Sequence, residues 1–134
     1  GQIDTEDNKK LIKRGIDSLE NILSKENISK TEVIDNSIYL SLYYLNDGNL
    51  QKAQSLINRS EILAEEIKDT FGLALSAKAR ATLQFNKHNF KSTVRNCIVA
   101  LELFKAINHK PKDRSEHIFT TYGILSESYK SLNN

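Results

Sequence analysis

The sequence predicts an all-α protein: an α-α superhelix, or solenoid, of about six antiparallel helices. Three observations carry the prediction. One proline and five glycines stand among many Leu, Ile, Lys, Glu and Ala residues, a composition that favours helix over sheet. Apolar residues recur on a 3.6-residue period in long stretches parted by short polar breaks. One punctuation returns at a fixed distance: Gly48-Asn49-Leu50-Gln51-Lys52-Ala53 is answered by His88-Asn89-Phe90-Lys91-Ser92-Thr93, 40 residues on. Recurrence at 20–50 residues marks a helical repeat array.

The first helix is predicted over about Thr5 to Glu26, where Ile12, Ile16, Leu19 and Leu23 form one stripe. Asn27-Ile28-Ser29 breaks it. Ser29 or Thr31 caps a second helix that runs to Asn46 and carries Ile34, Ile38, Leu40, Leu42, Tyr44 and Leu45. Asp47-Gly48 is a turn, with glycine taking the left-handed conformation that ends a helix. The third helix, Asn49 to Lys68, buries Leu50, Ala53, Ile57, Leu63, Ala64 and Ile67. Asp69-Thr70 supplies a break and a cap. The fourth, Phe71 to Asn86, has Ala74, Ala77, Ala79 and Ala81, which let helices approach closely. The fifth, Asn89 to Ile107, carries Phe90, Val94, Cys97, Ile98, Leu101 and Phe104. Asn108 to Arg114 is the longest break, with Pro111 as a stop. The sixth, Ser115 to Leu132, shows Ile118, Tyr122, Leu125 and Tyr129 on one face. The short loops make neighbouring helices antiparallel, and a right-handed solenoid is the simplest packing.

At 134 residues, 39% hydrophobic and 27% charged, the chain fits one helical domain with a real core. A net charge of +2 gives no strong field for nucleic acid or anionic lipid. No apolar run reaches the roughly 20 residues that span a bilayer, so no membrane contact by this chain is expected. The single Cys97 excludes an internal disulfide. No cleavable signal is read; Gly1 is read as a remnant of tag removal, with the sequence starting where a signal peptide was trimmed.

The repeat resembles the tetratricopeptide repeat. Leu40, Ser41 and Tyr44 take its large, small and aromatic places; Gly48 and Leu50 fill the turn; Ala53 and Ser60 take the small places of the paired helix. In the second copy Ala77, Ala81, Phe90 and Ala100 fit, while Arg80, Gln84 and His88 depart from the pattern. The third offers Tyr122, Leu125, Ser126 and Tyr129, then reaches Asn133-Asn134 where the turn is due. The resemblance implies one domain: an N-terminal helix over 1–28, repeats over 30–68 and 71–107, and the first helix of a third over 115–134. It implies a natural protein that continues past Asn134, and an uncovered sixth helix open to homodimerisation.

Leu63-Ala64-Glu65-Glu66-Ile67-Lys68-Asp69-Thr70-Phe71-Gly72-Leu73-Ala74 looks like the joint between long repeats in bacterial signalling proteins. Ile16-Asp17-Ser18-Leu19, then a polar break, is similar to the start of their exported sensor regions. That resemblance implies an input region ahead of an output domain, in the periplasm. A standalone cytoplasmic adaptor or chaperone-like scaffold is the alternative.

Chemistry is sparse. Glycine-rich phosphate loops are absent, and no cofactor is expected. Cys97 sits on an apolar stripe between Val94 and Leu101, which suits a buried structural thiol rather than a nucleophile served by His88 or His109. His109, His117 and Asp113 flank one loop, short of a metal set. Glu65 and Glu66 are adjacent and cannot face each other on a helix. Lys105, Lys110, Lys112 and Arg114 surround the fifth break, diluted by Glu102, Asp113 and Glu116. Asn27 and Asn58 begin glycosylation patterns that are common by chance. Arg80 and Gln84, a turn apart at apolar places, are either a structural pair, with Glu61 or Glu65 as carboxylate, or a spot facing a ligand.

No catalytic constellation is expected. In a solenoid of helix pairs the first helix of each pair lines the concave side. The resemblance therefore points Asp35, Ile38, Tyr39, Leu42 and Asn46 into a groove that takes a protein or peptide. It adds Leu75, Lys78, Ala79, Thr82, Phe85 and Asn86 from the second copy, and Gly123, Ile124 and Glu127 from the third. Tyr39, Leu42 and Phe85 would be the anchors. Asn46 and Asn86 would hold a peptide backbone.

Overall fold

The computed structural model describes residues 2–133, with side chains from residue 5 onward. The readings that fall on Gly1 and Asn134 lie outside the described residues. Six helices follow one another: α1 (Gln2–Leu23), α2 (Lys30–Asn46), α3 (Leu50–Glu66), α4 (Thr70–Asn86), α5 (Phe90–Ala106) and α6 (Arg114–Leu132). No strand occurs among the described residues, and no helix among them is long and apolar enough to cross a membrane. The fold is an all-α helical repeat.

Its step is finer than the 40-residue recurrence. Helices α2 to α5 are each 17 residues long, and each begins 20 residues after the last. The three turns between them are copies of one structure. Gly48 (φ +81°), Lys68 (φ +56°) and His88 (φ +60°) all take the left-handed conformation. The next residue closes the preceding helix through its amide: Asn49 to Tyr44 O at 2.8 Å, Asp69 to Ala64 O at 2.8 Å, Asn89 to Gln84 O at 2.9 Å. The same residue then caps the following helix, accepting from Lys52 N, Gly72 N and Ser92 N at 3.2, 2.9 and 3.3 Å. So one dipeptide both stops and starts a helix. Ser29, not Thr31, caps α2.

Each helix packs on the next, and α4 also touches α2 and α6, whereas α1, α3 and α5 do not touch one another. The array therefore curves, with α2, α4 and α6 on its inner side. One core joins Ile34, Leu40, Ile57 and Leu83, with Ile16, Leu19 and Leu23 of α1 packed against it. A second joins Ala74, Ala77, Ala100, Phe104 and Ile107. The small residues of α4 bring its neighbours close enough for Ser60 and Ser76 to share a hydrogen bond of 2.8 Å between buried hydroxyls.

Two apolar stripes are only partly buried. Tyr122 and Tyr129 are 44% and 46% exposed; α6 buries Thr121 and Ser128 instead. Their hydroxyls donate to His117 O and Ile124 O of the same helix, so burial strands no polar atom. In α5, Ile98 is 42% exposed because Cys97, Ala100, Leu101 and Phe104 already fill the inner face.

Candidate groove on the inner helices

The inner side carries a continuous trough. At its narrow end a cavity of about 50 Å³ is lined by Asp35, Ile38, Tyr39 and Leu42 of α2, by Leu75, Lys78, Ala79 and Thr82 of α4, and by His117 of α6. The spacing 35, 38/39, 42 and 75, 78/79, 82 is one face of each helix. Thr82 also borders a hollow of about 680 Å³ between α4 and α6, lined by Phe85, Phe119, Thr120, Tyr122, Gly123, Ile124 and Glu127.

The walls are mostly apolar, with a few placed polar groups. The Lys78 ammonium donates to Thr120 Oγ1 and to His117 Nδ1 at 3.1 Å. Burial lowers the Lys78 pKa below the usual lysine range. Burial and the neighbouring Lys78 charge lower that of His117. The His117 ring stacks on Phe104 at 5.7 Å and meets Phe71 edge-on at 5.8 Å. A neutral imidazole accepting at Nδ1 satisfies this network, with Nε2 turned toward Asp113 Oδ2 at 3.7 Å. On the opposite wall Asp35 is half-buried, and its pKa is raised by desolvation and by Asp69 and Asp113. A lysine ammonium and a desolvated acid thus line one mostly apolar trough.

Of the residues expected in the groove, Asp35, Ile38, Tyr39, Leu42, Lys78, Thr82, Phe85 and Glu127 line these two spaces. Asn46 and Asn86 do not. Both are exposed, at the last residues of α2 and α4. Asn46 instead borders a separate hollow against α1, with Lys9, Ile12 and Lys13. Phe85 divides its ring between the trough and an edge-on contact with Phe90 at 5.5 Å.

The other chemical candidates disperse. Arg80 points between α3 and α4, donating to Glu61 Oε2 at 2.8 Å and to Asn58 Oδ1 at 3.0 Å. Of the two roles open to it, the structural pair is realised, with Glu61 rather than Glu65. Burial pushes the Cys97 thiol up to about 11, the reverse of nucleophile activation. Arg114 leaves the basic cluster to donate from Nε to Phe104 O at 2.7 Å, and Lys105 donates to the Tyr122 hydroxyl at 2.8 Å. Among the described residues no group of three His, Cys, Asp or Glu side chains is placed to hold a metal ion. Sequence reasoning missed His117 and Phe119 as groove residues. The spacing 117, 120, 124, 127, continuous with the expected Ile124 and Glu127, marks His117; Phe119 stands off that spacing.

No protein-family model, no curated protein and no solved structure matches the chain.

Proposed function

We propose that this chain is a non-enzymatic, protein- or peptide-binding repeat module of the tetratricopeptide kind, serving as the input region of a larger signalling protein. The observation that carries the binding reading is the trough itself. Exposed Tyr39 and half-buried Leu42 stand at one end, Phe85 and Phe119 at the other, and Lys78 and Asp35 between them. Apolar anchors with a few oriented polar groups suit an extended or helical peptide laid along the inner helices. The signalling role rests on the resemblance of 63–74 to the joints of such proteins.

The test is selection of a phage-displayed library of random 16-residue peptides on the immobilised chain, followed by titration of the enriched peptides. Tyr39→Ala/Phe85→Ala should weaken their binding at least tenfold, roughly the loss of one or two interface anchors. Unchanged affinity in that double variant, or no enrichment at all, would sink the groove reading.

A further inference from the structure

One face of α6 is bare where the same face of α2 and α4 is covered. The three inner helices share a register. Ser76 and Leu83 of α4 are fully buried, and so are Thr121 and Ser128 of α6, each 45 residues later. In α2, Ile34, Ser37, Ser41 and Tyr44 are 0, 0, 0 and 5% exposed, Tyr44 being held between α1 and α3 through Glu20 and Lys52. In α4, Ala74, Ala77 and Ala81 are 0, 7 and 0% exposed. The corresponding residues of α6 are Phe119, Tyr122, Ser126 and Tyr129. Phe119 is 78% exposed, Tyr122 44% and Tyr129 46%, and Ser126 is open as well. Three aromatic rings in one stripe are an unusual thing to leave in water.

We propose that a second copy of the chain covers this face, α6 packed antiparallel against α6 about a two-fold axis level with Ile124. The stripe is complementary to itself under that operation. A two-fold places each residue opposite its mirror in number, so Phe119 comes level with Tyr129 of the other copy, and Tyr122 with Ser126 of the other copy. Ring lies beside ring, and a large side chain meets a small one, the alternation that lets two helices interdigitate. The charges agree. At about 1.5 Å per residue, Glu116 lies about 12 Å before the axis and Lys130 about 9 Å beyond it. The two-fold therefore brings Glu116 to within about 3 Å of Lys130 of the other copy along the helix, on the same flank. In the single chain Lys130 has only an exposed partner, Glu127 at 3.4 Å with side chains 70% and 61% exposed. Such a pair holds a lysine weakly. Arg114 and Lys130 balance Glu116 and Glu127, so two α6 helices do not repel. A foreign helix would need to supply this complement; a second copy already has it.

A helix pair with its flanks lies at the small end of specific interfaces, so a dissociation constant of about 10 µM is expected. Sedimentation velocity of the whole chain from about 1 to 300 µM reads it out. The mass should rise from 15.2 kDa toward twice that value across the range. Phe119→Asp, at an exposed position, should keep the helical circular dichroism and stay monomeric throughout. Glu116→Lys and Lys130→Glu should each weaken the dimer at least fivefold. An equimolar mixture of those two variants should restore it to within about twofold, because each then supplies what the other lacks. A wild-type chain still monomeric at 300 µM overturns the proposal and leaves the face to another protein. So does a dimer that survives Phe119→Asp, or single charge variants that mixing does not rescue. Phe119 also borders the α4–α6 hollow, so Phe119→Asp bears on both readings; Glu116 and Lys130 line neither groove space, and their charge swap tests the dimer while Tyr39→Ala/Phe85→Ala tests the groove.

Discussion

Lys68→Gly and His88→Gly put glycine where the backbone already holds a left-handed conformation, at φ +56° and +60°. Gly48 fills the equivalent place in the first turn at φ +81°, with nothing within 4 Å of where its Cβ would stand. At Gly48 the effect of a side chain is therefore a matter of backbone conformation rather than packing, and the same left-handed backbone recurs at the other two sites. An L-residue held left-handed costs about 1–2 kcal/mol. Glycine gives back about 0.4–1 kcal/mol through the greater freedom of its unfolded chain. The difference leaves Lys68→Gly about 0.5–1 kcal/mol more stable than wild type. His88→Gly gains less, because His88 also lies edge-on to Phe90 at 5.9 Å, a contact glycine forfeits. With unfolding entropy near 2.1 cal/mol/K per residue, 134 residues convert 1 kcal/mol into about 3–4 °C. Lys68→Gly should thus raise Tm by about 2–3 °C, and Gly48→Ala should lower it by about as much or more. Thermal melts followed by far-UV circular dichroism resolve shifts of this size. Lys68→Ala is the control for losing the lysine side chain alone. If Lys68→Gly melts no higher than Lys68→Ala, or if Gly48→Ala is neutral, the turns do not hold this conformation in solution and the reasoning fails.

Two further outcomes follow from buried polar groups. The Ser37 hydroxyl is fully buried, and among the described residues its Oγ has no hydrogen-bond partner; Ser37→Ala should therefore keep or raise stability by up to about 1 kcal/mol in urea unfolding, where most buried serine deletions lose it. Asp35 has a folded pKa raised above 3.8, chiefly by desolvation, so just above that pH the folded state holds more protons than the unfolded one and stability falls as pH rises through the window. Asp35→Asn should accordingly raise Tm at pH 7 and leave it unchanged at pH 3, where the carboxyl is protonated in both states; equal gains at the two pH values would contradict the burial.

How much of this was legible in the sequence depends on which physical signal each feature leaves. The helices were legible because their apolar period and polar breaks are local: all six expected ranges lie within about three residues of the observed ones at each end. The 20-residue step was not. Only Gly48 announces its turn by composition, whereas Lys68 and His88 adopt the same conformation with side chains that do not advertise it. What those turns share is the next residue, Asn49, Asp69 or Asn89, whose side chain caps a helix whatever precedes it. An Asn or Asp every 20 residues was the better clue than the glycine.

The groove divides in the same way. Residues on α2 and α4 could be placed because both helices lie inside the regular step, so one face of each follows from counting. α6 lies beyond the irregular break from Asn108 to Asp113, and counting loses its phase there. Hence the sequence groups Tyr122 and Tyr129 on one face with Ile118, while Thr121 and Ser128, polar by composition, fill the buried side. A threonine or serine that can return its hydroxyl to its own helix is indistinguishable in sequence from a solvent-facing one. Asn46 and Asn86 fall outside the trough for the opposite reason. They do stand at equivalent places, but the places are helix ends, where the face has already turned away from the trough. The inner surface of a short array is thus set by helix phase in its middle and by turn geometry at its ends. The aromatic stripe of α6 is where the two disagree most: its rings keep the spacing of a buried face, while among the described residues no helix packs over it as one does over the same face of α2 and α4.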